Sequence, residues 1–260
     1  MDRLYHPGIA AYAREHWRIT LIIAVLALIA LLAEGVHRRI MVSRLLETEA
    51  DAVQLAPSLR AFAEAEARPL YAKLCLDCHG ARLRGDRSLG VPDLRGGDWL
   101  YGSGRVSEIE RVILYGIRSG NGKGWNLADM PAYGTSSPYR RSAIPPLSPG
   151  DIRDTVEYLH LLEHKPADAA AAQRGREIYA GRGACYDCHA PDGRGDTSIG
   201  APNLTHDLWL YGDGSRQSLF DSIARGHAGS CPAWARRLSA WEVRALAVYV
   251  HGAASDREGP

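Results

Sequence analysis

Cys75-Leu76-Asp77-Cys78-His79 is followed 110 residues later by Cys185-Tyr186-Asp187-Cys188-His189. In a C-x-x-C-H pentapeptide the two thiols form thioethers to the vinyl groups of a haem. The adjoining histidine then reaches the iron as proximal ligand. A zinc or dithiol site would need a second Cys/His pair at zinc spacing, and neither copy has one. The two stretches therefore predict two covalently bound haem c groups. Cys75, Cys78, Cys185 and Cys188 would attach them, with His79 and His189 on the irons. Electron transfer or haem redox chemistry is the function class that follows.

The likeness extends outward from the motifs. Residues 85–104, G-D-R-S-L-G-V-P-D-L-R-G-G-D-W-L-Y-G-S-G, align with residues 195–214, G-D-T-S-I-G-A-P-N-L-T-H-D-L-W-L-Y-G-D-G. Pro92/Pro202, Trp99/Trp209 and Tyr101/Tyr211 coincide. Helices are predicted over Val106–Gly116 and Arg216–Gly226. Apolar periodicity predicts two more, after Ser148 (Ile152, Val156, Leu159) and after Ser239 (Val243, Leu246, Val250). Two stretches longer in the first copy, Ser119–Gly124 and Gly134–Pro146, read as surface loops. The predicted fold is all-α, with two tandem class I cytochrome c domains over residues 67–164 and 165–260. Trp99, Tyr101, Trp209 and Tyr211 are expected to line the haem edges. Arg225 reads equally as a propionate partner or as a solvent-facing arginine.

The 260 residues carry 31 Lys+Arg against 30 Asp+Glu, a net charge of +1. That balance argues against a nucleic-acid partner. Residues 19–33 are apolar apart from Thr20. From Trp17 to Val36 the stretch suits one bilayer crossing, with Arg18 and Glu34 able to snorkel. A cleaved signal peptide would end on small residues, but Leu31 occupies the place two before Ala33, so a retained anchor is expected. The expected order is a cytoplasmic N-terminus (1–16), a transmembrane anchor (17–36), a helical linker (37–66) and the two haem domains. Because c-type maturation takes place outside the bacterial cytoplasmic membrane, the expected location is the inner membrane with both haem domains in the periplasm.

Class I cytochromes usually set a methionine opposite the proximal histidine. The chain has Met1, Met41 and Met130. Only Met130 lies in a haem domain, and it is expected to ligate the first haem. No methionine follows it. Cys231-Pro232-Ala233-Trp234 answers Met130-Pro131-Ala132-Tyr133 in the second copy. Cys231 is expected to ligate the second haem as thiolate, with His227 the next candidate and an open five-coordinate iron after that. A thioether favours Fe(II) and a thiolate Fe(III), and axial ligation moves haem potentials over about 0.8 V.

With W-L-Y-G, G-A-P-N-L-T, the doubled C-x-x-C-H and the M-P-A loop, residues 67–255 resemble the dihaem subunit (CcoP/FixP type) of C-family, cbb-type haem–copper oxidases. The resemblance implies ligation by His79 and Met130, and by His189 with a second-domain ligand. It also implies transfer of electrons from a soluble cytochrome c or a quinol-oxidising complex toward a membrane oxidase or related complex. No activity of the chain alone is expected. Two features depart from the pattern. The family has a methionine where Cys231 stands, and Tyr5–Trp17 lacks its acidic, proline- and tryptophan-rich stretch. The competing expectation is a dihaem sulfur-compound oxidoreductase, similar to thiosulfate dehydrogenases in pairing one Cys-ligated with one Met-ligated haem. A haem-based sensor is a third, and no signalling segment supports it.

Overall fold

The computed structural model describes residues 7–97, 99–134 and 144–255. The first six residues of the expected cytoplasmic segment and most of the Gly134–Pro146 loop lie outside them. The chain divides into two units, Met1–Thr48 and Glu49–Pro260.

The first unit is one helix, α1 (Pro7–Glu47). Its apolar window, within His16–Glu47, has a mean hydropathy of 2.7 and none of it is buried. The helix is long and apolar enough to cross a membrane. It contains the expected anchor and runs on through Glu47, since no proline follows Pro7 to stop it. The first part of the expected linker is therefore a continuation of the anchor helix.

The second unit opens with a 3-10 turn, Ala50–Leu55. Then come α2 (Pro57–Leu74), α3 (Leu76–His79), α4 (Val106–Tyr115) and α5 (Pro149–Leu162). These are followed by α6 (Ala169–Ala180), α7 (Tyr186–His189), α8 (Arg216–Arg225) and α9 (Ala240–Ser255). Among the described residues there is no strand, only isolated bridges. Local chemistry fixes the helix starts. Pro57 and Pro149 open α2 and α5, where a missing N–H costs nothing. The Ser148, Asp168 and Ser215 side chains accept from backbone N–H groups at the starts of α5, α6 and α8.

The helices combine across the two sequence repeats. α2 of the first repeat packs on α9 of the second, and α6 of the second on α5 of the first. α4 packs on α9 and α8 on α5. One lobe thus holds α2, α3, α4 and α9, the other α5, α6, α7 and α8. Matching ring pairs close the two crossings, Tyr71–Tyr249 at 5.4 Å and Tyr158–Tyr179 at 5.3 Å between centroids. At the α5–α6 crossing the backbones nearly touch, since a β-carbon on Gly175 would lie 2.0 Å from the Asp154 carbonyl oxygen. The second lobe's core confirms the mixing. Ile152, Val156 and Leu159 of α5 pack with Ile178 and Tyr179 of α6 and with Leu219 and Ile223 of α8. The last helix of each sequence repeat closes the other repeat's core.

Two candidate haem sites

Each C-x-x-C-H stretch forms a single helical turn. The His79 N–H donates to the Cys75 carbonyl at 2.9 Å, and the His189 N–H to the Cys185 carbonyl at 2.9 Å. Both thiols and the imidazole thereby leave one short turn. A tyrosine from the preceding helix ties the end of each turn. Tyr71 donates to the Gly80 carbonyl at 2.7 Å, Tyr179 to the Ala190 carbonyl at 2.6 Å.

The imidazoles are oriented by the prolines the repeat shares. His189 Nδ1 meets the Pro202 carbonyl at 3.0 Å. The Pro92 carbonyl acts on the His79 ring in the same sense, although no hydrogen bond closes on its buried Nδ1. Burial lowers the pKa of both histidines, with the proline carbonyl opposing it. Both imidazoles are therefore neutral at physiological pH. A proton on Nδ1 leaves the Nε2 lone pair free for a metal, the usual arrangement of a ligating histidine and its outer partner.

The distal loops cross between the repeats. Met130 N–H donates to the His227 carbonyl at 2.9 Å and His227 N–H to the Met130 carbonyl at 3.0 Å. The same loop runs on along the end of α8, where Tyr133 N–H donates to the Ile223 carbonyl at 3.1 Å. Tyr133 then donates its hydroxyl to the Gly183 carbonyl at 2.6 Å, two residues before Cys185. Met130 packs against the second lobe's core together with Cys185. The Cys231 loop makes the mirror arrangement. Cys231 N–H donates to the Ile117 carbonyl at 2.9 Å, and Trp234 N–H to the Ile113 carbonyl of α4 at 3.0 Å. Burial, aided by the nearby Cys78 thiol, pushes the Cys231 thiol up to about 11. Cys75 is likewise pushed to about 11, by burial first and then by Cys231 and Cys78.

Met130 accordingly packs with Cys185, and Cys231 lies near Cys75 and Cys78. The sequence expectation paired them the other way, each with the motif of its own repeat. The exchange of α5 and α9 carries each distal loop across, because the loop immediately precedes the exchanged helix. His227 is held elsewhere, its ring stacked on Tyr211 at 3.5 Å and its Nε2 3.1 Å from Ser222 Oγ. Arg225 is a solvent-facing arginine near Asp221. Trp209 donates to Glu163 at 3.1 Å, and Tyr101 lies 5.3 Å from Trp125.

The donor sets fit two haems of the c type. Each has two thiols on one turn, a buried imidazole beside a proline carbonyl, and a sulfur side chain brought in by a separate loop. Sequence reading missed the contribution of Tyr71, Tyr133 and Tyr179. Their hydroxyls fix main-chain positions beside the motifs, and periodicity shows them only as core residues.

The fold and the paired motifs define a dihaem c-type cytochrome. Residues 170–250 match the family model described as cytochrome c oxidase, cbb3-type, subunit III, and residues 64–163 match cytochrome c. The chain is 34% identical over 216 residues to the cbb3-type cytochrome c oxidase subunit CcoP of Rhodobacter capsulatus, covering 80% of this chain and 68% of that one. It is 32% identical to CcoP of Cereibacter sphaeroides, covering 80% and 67%. It is 38% identical over 196 residues to the cbb3-type cytochrome c oxidase subunit FixP of Azorhizobium caulinodans, spanning 75% of this chain and 61% of that one. The chain belongs to the CcoP/FixP family.

Proposed function

We propose that the chain is a membrane-anchored electron-transfer subunit of a cbb3-type oxidase or a closely related membrane complex. The observation that carries this reading is the pair of complete donor sets on a chain of the CcoP/FixP family. Haem, when bound, supplies a one-electron iron centre in each lobe. The chain's own residues attach it, orient it and set its potential. With haem bound, His79 and Cys231 would hold the iron of the first lobe, and His189 and Met130 that of the second. Electrons enter from a soluble cytochrome c or a quinol-oxidising complex and leave toward the catalytic subunit. α1 holds the chain in the inner membrane, with both lobes on the periplasmic side.

Cys231, in place of the methionine that the family resemblance implies, is the main departure of this chain. A thiolate stabilises the ferric state where a thioether stabilises the ferrous one, so the first lobe is the low-potential centre. A difference of about 300 mV corresponds to roughly five decades in a one-electron equilibrium. The chain alone is a carrier, and purified full-length protein should reduce or oxidise a cytochrome c partner without turning over thiosulfate or tetrathionate. Steady turnover of either sulfur compound would overturn the carrier reading in favour of an oxidoreductase.

A further inference from the structure

The two distal loops share one side chain. Arg118 follows the turn that ends α4, and its guanidinium reaches both loops. Its Nη1 donates to the Ala128 carbonyl at 2.6 Å and its Nε to the Gly229 carbonyl at 2.5 Å. Ala128 lies two residues before Met130 and Gly229 two residues before Cys231. The arginine is itself fixed, since its N–H donates to the Trp125 carbonyl at 2.9 Å and its φ is 45°. The repeat does not duplicate it, because Ala228 stands at the equivalent place. The backbone hydrogen bonds of the two loops described above have counterparts in each lobe. Arg118 is an asymmetric element, one cation serving both loops.

We propose that Arg118 is a positioning residue for both distal ligands, a single tether that holds the Met130 and Cys231 loops and makes the two haem sites respond together. It rests on the reading of Met130 and Cys231 as axial ligands. A hydrogen bond from a charged donor is worth more than a neutral one. A lysine could satisfy one carbonyl but lacks the planar fork that meets two at fixed spacing. Releasing the tether lets both sulfur ligands leave their irons more readily.

The test uses full-length holoprotein with Arg118→Ala and Arg118→Lys, titrated in the ferric state with imidazole as a competing axial ligand. The Met130 site is read by its far-red thioether–iron band and the Cys231 site by its low-spin thiolate EPR signal. Arg118→Ala should raise the apparent imidazole affinity about tenfold at both sites, the scale of one charged hydrogen bond each. Arg118→Lys should give an intermediate change. If Arg118→Ala does not accumulate with both haems attached, Arg118→Lys is judged on the same criterion. A change confined to one site, or to neither, overturns the proposal. A wild-type protein without the thioether band or the thiolate signal would refute the ligand reading itself, and the tether with it.

Discussion

The Tyr211 ring lies over Gly90, so close that a β-carbon there would stand 2.0 Å from Tyr211 Cζ. Tyr101 makes the reciprocal contact with Gly200, where the same distance would be 2.1 Å. Both glycines have φ values in the left-handed region, 67° and 79°. Each repeat therefore presses a tyrosine onto the glycine turn of the other. Gly90→Ala combines left-handed backbone strain with displacement of a packed ring. It should cost roughly 2–4 kcal/mol in denaturant unfolding of the holoprotein. Gly122→Ala is the control, since nothing lies within 4 Å of a β-carbon there. Equal stability of Gly90→Ala and wild type would mean that this interlocked contact is absent in solution.

Ala190 ends the second haem-binding turn at φ 61° and ψ 161°, a region that suits glycine. Gly80 stands at the matching place in the first repeat. Ala190→Gly should raise stability by about 1 kcal/mol, measured as a shift of the denaturant midpoint at unchanged slope. Loss of stability would show that the backbone there is not strained.

Glu157 of α5 holds Arg216 of α8 at 2.5 and 3.0 Å and also accepts from the Asp168 N–H at 2.9 Å. The Arg216 bond, opposed by desolvation, holds the Glu157 carboxyl down at about 2, below its ordinary 4.5. A depressed folded-state pKa adds stability above the unfolded pKa and loses it as pH falls through the folded one. Glu157→Gln should therefore be less stable than wild type near neutrality. The difference should shrink as pH drops from about 4.5 toward 2. A constant difference over that range would show that the pairing is not electrostatic.

The legible part of this molecule was whatever the chain encodes locally. The two C-x-x-C-H turns, the apolar span and the amphipathic helices after Ser148 and Ser239 all lie where spacing and periodicity place them. The partner of each terminal helix was not legible. Tyr158 and Tyr249 occupy equivalent positions, as do Tyr71 and Tyr179, so either pairing buries the same kinds of side chain. A repeat makes a closed arrangement and an exchanged one nearly identical in pattern. The exchange then moved Met130 and Cys231 to the opposite motifs. Arg118 left no signal because its partners are backbone carbonyls, which carry no residue identity.

The central claim is the crosswise pairing of Met130 with His189 and Cys231 with His79. Its most direct test is EPR and far-red absorption of ferric full-length Cys75→Ser/Cys78→Ser protein, which retains only the haem at Cys185 and Cys188. The account predicts a thioether–iron band that disappears on adding Met130→Ala, and no thiolate signal. A thiolate signal from that remaining haem, abolished by Cys231→Met, would place each distal ligand with its own repeat and contradict the pairing.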